Sequence, residues 1–346
     1  MGEPSRPEVP LGRRLATGRA WLMLYLSRQA ARARRPHPRT SWPLLIGLLT
    51  LSAFASAAPP DRLAADALAL LHAKRHVTLP HGERIAYADL GPRTGRTIVL
   101  IHGYADSSLG WTPLLPALDR SARLLLMDLR GHGASAKPEC CYTRFDFAFD
   151  IRLLLDRLRI KSADVIGHSL GSIVAQTIAE LWPERVGHLV LISSTGGTRA
   201  GCGSSALAAE GIASRMRAMV EGFRDPLDPD RPPLTDWYAS PAPIPEAFLR
   251  LERRAGADIP ARVWRAVLDE AIIGSDLQPL LPRIVAPTLL LWGEKDPIMG
   301  AADRCSLHEA LPAARMRVFD GLGHNPHAEQ PQLVADEINL FLAPAQ

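Results

Sequence analysis

Ala163-Asp164-Val165-Ile166-Gly167-His168-Ser169-Leu170-Gly171-Ser172-Ile173-Val174 is the stretch from which the rest of the chain can be read. Its first part, Ala163–Ile166, has the length and composition of a short buried strand. From Leu170 to Trp182, Ile173, Val174, Ile178 and Leu181 recur on one helical face. Between strand and helix, Gly167-His168-Ser169-Leu170-Gly171 fits the pattern G-x-S-x-G. Two glycines permit a sharp turn there, which lifts the Ser169 hydroxyl out of the sheet. It also sets that hydroxyl at a helix N-terminus, where backbone N–H groups favour developing negative charge. A serine hydroxyl is a poor nucleophile near neutral pH. It therefore needs a base, and the base needs an orienting carboxylate.

Outward from this turn, short apolar runs alternate with segments of helical period. Thr97–Ile101 and Arg123–Met127 are nearly continuous apolar runs, as expected of strands covered on both faces. His76–Leu79 and Arg84–Asp89 flank His81-Gly82 and predict an opening hairpin. Phe147, Ile151, Leu154, Leu155 and Leu158 predict a helix. Strands at His188–Ser193, Thr288–Trp292 and Arg315–Phe319 follow, with helices at Ala301–Leu311 and Gln332–Leu342. The alternation predicts an α/β fold, a mostly parallel twisted sheet flanked by helices. Residues 196–286 break the rhythm with ten prolines and with Met216, Met219, Phe223, Trp237, Tyr238, Phe248 and Trp264. They read as a helical lid inserted between core strands, entering and leaving the sheet beside the motifs.

The partners of Ser169 fall at strand ends. Asp296, in Gly293-Glu294-Lys295-Asp296, follows strand Thr288–Trp292, and His324, in Gly323-His324-Asn325, follows strand Arg315–Phe319. Open α/β sheets place their sites at this carboxyl edge. Glu294 is the alternative acid and His327 the alternative base. An oxyanion needs two backbone donors. The Leu170 N–H, next to the nucleophile, is one; the Tyr104 N–H, in His102-Gly103-Tyr104 after strand Thr97–Ile101, is the other. His102 is expected to be a buried, hydrogen-bonded turn residue.

With these motifs the chain resembles the α/β-hydrolase superfamily, in its lid-bearing, esterase-like branch with a serine nucleophile. The resemblance covers about residues 76–342. It rests also on Asp128-Leu129-Arg130-Gly131-His132-Gly133-Ala134-Ser135 and on Pro183-Glu184-Arg185-Val186. It implies a triad of Ser169, Asp296 and His324, and a structural rather than catalytic role for the Asp128 and Arg130–Gly133 loop. Ser172 stands where many relatives carry a further glycine. Relatives that open epoxides or displace halide use aspartate where this chain has Ser169.

The activity expected is hydrolysis of a carboxylic ester or lactone through an acyl-enzyme. Acyl transfer and cofactor-free perhydrolase or haloperoxidase-like chemistry use the same triad and are the alternatives, followed by a non-enzymatic ligand-binding protein. No metal constellation and no phosphate-binding glycine loop occurs in the sequence, so no cofactor is expected. The partner expected is a small-molecule substrate.

Charge is divided unevenly along the 346 residues. Lys+Arg 40 against Asp+Glu 36 gives +4, but residues 1–57 hold nine arginines and two acids, +7, which leaves −3 for the rest. The Arg-rich start, the apolar run Leu44–Ala55 and Ala55-Ser56-Ala57 read as an export segment with a cleavage site. Residues 58–346 are then the working domain, periplasmic or secreted; an uncleaved leader would anchor it to a membrane. Without a basic run bearing interleaved aromatics, nucleic acid is not an expected partner. Of the four cysteines, adjacent Cys140 and Cys141 are not expected to pair with each other, and one of them could reach Cys202.

Overall fold

The computed structural model describes residues 60–203 and 210–343. The export segment expected over 1–57 lies outside them. Among the described residues eight strands form one sheet in the order β1-β2-β4-β3-β5-β6-β7-β8: Arg75–Thr78, Arg84–Leu90, Thr97–Ile101, Arg123–Met127, Ala163–His168, Val186–Ile192, Thr288–Gly293 and Arg315–Phe319 for β1 to β8. β1 and β2 form the expected hairpin, and β2 runs antiparallel to β4. From β4 to β8 every neighbour is parallel.

The sequence of each strand follows from what covers it. β4, β5 and β7 are buried along their whole length. Successive side chains divide between two cores. Val99, Ile101, Val165, Leu189 and Leu191 face one, with helix α2 (Arg144–Arg157) and helix α3 (Leu170–Leu181). Ile98, Leu100, Ile166, Val190 and Ile192 face the other, with α1 (Pro60–Ala73) and α10 (Pro331–Leu342). The edge strands differ: β1 is mostly exposed, and β8 carries Arg315 and Arg317, charges that discourage pairing with another edge. Helix α2 opens with a capping box, Thr143 and Asp146 each bonding the other's backbone N–H. Thr143→Ala is expected to cost about 1 kcal/mol in urea denaturation with an unchanged m-value.

Between β6 and β7 lie α4 (Glu210–Glu221), α5 (Leu234–Trp237), α6 (Glu246–Ala257) and α7 (Ala261–Val267), the last continuing as a π-turn over Leu268–Ile273. Pro233, Pro245 and Pro260 stand immediately before α5, α6 and α7, where a missing N–H removes no helical bond. A proline-rich stretch is thus compatible with helices. After β7 come α8 (Ala301–Ala310) and α9 (Pro326–Glu329).

Two features depart from the sequence reading. Helix α1 was not anticipated, because its Ala-rich turns bury only Ala67 and Leu70 and leave a faint stripe. The cysteines pair otherwise than expected: Cys202 bonds Cys305 on α8, and Cys140 bonds Cys141. The loop after β6 runs against α8, which brings the Cys202 and Cys305 Cα atoms to 5.5 Å. At Cys141 the backbone takes φ +75°, turning two adjacent side chains toward one another.

Candidate active site

The chain passes from β3 to β4 on one side, while β5 lies on the other. The carboxyl ends of β3 and β5 therefore open a crevice where the strand order reverses. Ser169 stands at this point, between β5 and α3, with φ +52° and ψ −118°. A non-glycine residue in that region is strained by about 1–3 kcal/mol and persists only where its surroundings enforce it. Here the enforcement is visible. A Cβ on Gly167 would overlap the Gly171 backbone, and one on Gly171 would overlap the Ile101 and His102 carbonyls. The Ser169 N–H is tied to the Ile192 carbonyl at 3.0 Å.

His324 Nε2 lies 3.0 Å from Ser169 Oγ, and His324 Nδ1 lies 2.9 Å from both Asp296 carboxylate oxygens. Asp296 Oδ1 also accepts the Ile298 N–H at 2.9 Å and the Met299 N–H at 3.0 Å. Burial pushes the Asp296 carboxyl up, but the adjacent imidazole and these donors outweigh it and hold the group below the ordinary carboxylate value. A carboxylate of that kind favours the His324 tautomer with the proton on Nδ1, which leaves Nε2 free to take one from Ser169.

The alternatives lie elsewhere. Glu294 accepts the Gly321 N–H and is exposed. His327 is buried against Trp111 and His168, with burial lowering its pKa to about 3. Among the described residues neither the Tyr104 nor the Leu170 amide donates to a protein acceptor, and Leu170 is the first residue of α3. His102 is the turn residue it was expected to be. Its Nδ1 donates to the Gly103 carbonyl at 2.8 Å and its Nε2 accepts the Leu129 N–H at 3.0 Å.

The Asp128 loop is tied to the segments around it. Asp128, fully buried, takes Lys74 Nζ at 2.8 Å, the Ser108 N–H at 2.9 Å, Ser108 Oγ at 2.7 Å and the Ala134 N–H at 2.8 Å. Arg130 grips Asp150 through two nitrogens, at 2.7 and 2.6 Å. Ser172 Oγ sits 2.5 Å from the Ser169 carbonyl and 2.7 Å from Ser194 Oγ, a use for a hydroxyl that a glycine would lack.

Two residues beside His324 escaped the sequence reading. His168 Nε2 donates to the His324 carbonyl at 2.9 Å, and Ser193 Oγ donates to the same oxygen at 2.8 Å. Burial, then the nearby His327 and His324 rings, hold the His168 pKa well below the ordinary value, so it is a neutral donor. Their separations from His324, 156 and 131 residues, leave no local signal.

This fold and this serine-centred crevice are those of a hydrolase, and comparison with known proteins agrees. The profile of the Alpha/beta hydrolase family matches residues 98–337. The chain belongs to the alpha/beta hydrolase family and is an enzyme. It is 30% identical over 282 residues, 77% of this chain and 97% of the other, to a putative 2-succinyl-6-hydroxy-2,4-cyclohexadiene-1-carboxylate synthase of Bacillus subtilis. Among solved structures it is similar to a hydrolase of Pseudomonas aeruginosa, with TM-score 0.62 and 26% identity over 78% of this chain and 98% of that one. The enol-lactonase of Burkholderia xenovorans has a similar fold, with TM-score 0.66 and 21% identity over 78% of this chain and 99% of that one.

Proposed function

We propose that the enzyme cleaves a carboxylic ester or lactone through an acyl-enzyme on Ser169. The observation that carries this reading is the hydrogen-bonded series from Ser169 Oγ through His324 to Asp296, at 3.0 and 2.9 Å. In this reading Ser169 Oγ attacks the carbonyl carbon while His324 Nε2 takes its proton. Asp296 stabilises the imidazolium, and the Tyr104 and Leu170 amides bind the oxyanion. His324 then protonates the leaving alkoxide, and the alcohol departs. Water, deprotonated by the same nitrogen, releases the acid and restores Ser169. The Burkholderia enol-lactonase, similar in fold, acts by its name on a lactone, a member of this substrate class. The helices between β6 and β7 serve as the lid that shields the acyl-enzyme from water.

The test is a panel of p-nitrophenyl esters and simple lactones of rising acyl length. Turnover of at least one is expected, with the preferred length reporting the lid pocket; a panel that is inert throughout contradicts the proposal.

We further propose that residues 1–57 direct export. The Cys202–Cys305 disulfide supports an oxidising compartment. Among the described residues no helix is long and apolar enough to cross a membrane.

A further inference from the structure

Three consecutive residues after β3 are each gripped by the helices between β6 and β7. Tyr104 donates its hydroxyl to the Trp264 carbonyl at 2.6 Å, and its ring meets the Trp264 and Trp237 rings edge-on, with centroids 5.2 and 5.6 Å away. The Ala105 carbonyl accepts the Tyr238 hydroxyl. The Asp106 carboxyl faces the Glu252 carboxyl on α6. Between them Ala105 has φ +64°, which an alanine does not hold unaided. The lid side of the grip is itself close-packed. A Cβ on Gly256 would overlap the Tyr238 hydroxyl, and the Gly256 carbonyl accepts Trp264 Nε1–H at 3.3 Å.

We infer that Trp264, Tyr238 and Glu252 are positioning residues for the oxyanion hole: they hold Tyr104-Ala105-Asp106 in the shape that presents the Tyr104 amide to the substrate oxygen. The inference rests on the reading of that amide as an oxyanion donor. It makes the insertion a part of the catalytic frame as well as a cover, so loosening it lowers the rate of chemistry before it changes binding. A misplaced donor costs less than a deleted one, which is about 10²–10³-fold in kcat.

The carboxyl pair gives the grip a pH signature. Burial pushes Asp106 up to about 7 and Glu252 well above its ordinary value. The groups facing the pair are Tyr238 from the insertion, and Lys74 and Asp128 from the body. The last two neutralise one another at 2.8 Å. Both shifts favour a protonated carboxyl, so the two groups face one another without like-charge repulsion in acid and repel once both are ionised on the alkaline side.

The experiment measures kcat and KM for p-nitrophenyl butyrate from acid to alkaline pH, per site titrated to completion with a fluorophosphonate, so that poorly folding variants are counted by the sites they retain. For Tyr238→Phe and Glu252→Ala, kcat is expected to fall about tenfold with KM within about twofold. Glu252→Gln, whose amide can donate to Asp106 but has no proton to lose, is expected to recover most of that rate and to hold it further into alkali than the wild type. Gly256→Ala, which displaces Tyr238 without touching the loop, is expected to behave as Tyr238→Phe does. Unchanged kcat in Tyr238→Phe and Glu252→Ala, a change in KM alone, or Glu252→Gln as impaired as Glu252→Ala would each overturn the inference. Hydrolysis by Ser169→Ala at the wild-type rate would instead remove the reading beneath it, and this one with it.

Discussion

Ser169→Ala is expected to lower kcat for a p-nitrophenyl ester by about 10⁴- to 10⁶-fold while leaving the protein folded. The size of the loss follows from how Ser169, His324 and Asp296 depend on one another. In the proposed mechanism, without Oγ His324 Nε2 would have no proton to take, and the Asp296 bond at 2.9 Å would orient a base with nothing to activate. In the proposed mechanism what remains is the pair of oxyanion amides and the binding crevice, which would act on a water rather than on a positioned nucleophile. Stability should change little. Among the described residues the only hydrogen bond of the Ser169 hydroxyl is that to His324, and the backbone tie to Ile192 at 3.0 Å is untouched. Alanine tolerates φ +52° no better than serine, so the local strain is carried over. Steady-state rates together with a thermal melt check both halves of this expectation.

The second large effect concerns stability. Asp128→Ala is expected to cost about 3–5 kcal/mol in chemical denaturation, the range for breaking a buried ion pair from one side. The substitution leaves the buried Lys74 ammonium without its counter-charge and removes the acceptor of the Ser108 and Ala134 amides at 2.9 and 2.8 Å. Those amides belong to the segments that frame β3 and β4, so the damage should reach the crevice as well. Its pH dependence has a definite sign. Burial raises the Asp128 carboxyl, but Lys74, His102 and the hydrogen bonds outweigh it and hold the group below its ordinary value. The contribution is therefore complete above about pH 4, where the unfolded carboxyl is ionised, and is lost as pH falls through the depressed native value. The gap between wild type and Asp128→Ala should accordingly be full at neutral pH and narrow in acid.

The parts of this molecule that were legible in advance share a physical cause. β3, β4, β5 and β7 are covered on both faces, so burial wrote them as unbroken apolar runs. Ser169 was legible because its turn is local: Gly167 and Gly171 stand beside it, and both are demanded by backbone approach. Asp296 and His324 were legible as strand-end residues, since β7 and β8 are parallel neighbours that finish at the same edge. What stayed hidden depends on distance along the chain. The Cys202–Cys305 bond spans 103 residues, and the His168 bond to His324 spans 156. The contact of Tyr238 with Ala105 arises only after the insertion has folded back on the loop after β3. Helix α1 escaped for the opposite reason: its signal is local but weak, because alanine packs against α6 with hardly any apolar contrast.

The proposed mechanism requires a covalent bond to Ser169 Oγ. Peptide mass spectrometry after reaction with a fluorophosphonate tests it most directly. One adduct per chain is expected, on Ser169, formed rapidly by the wild type and at a rate reduced by orders of magnitude in His324→Ala. An adduct on another residue, or wild-type ester turnover that continues with Ser169 unmodified, would contradict it.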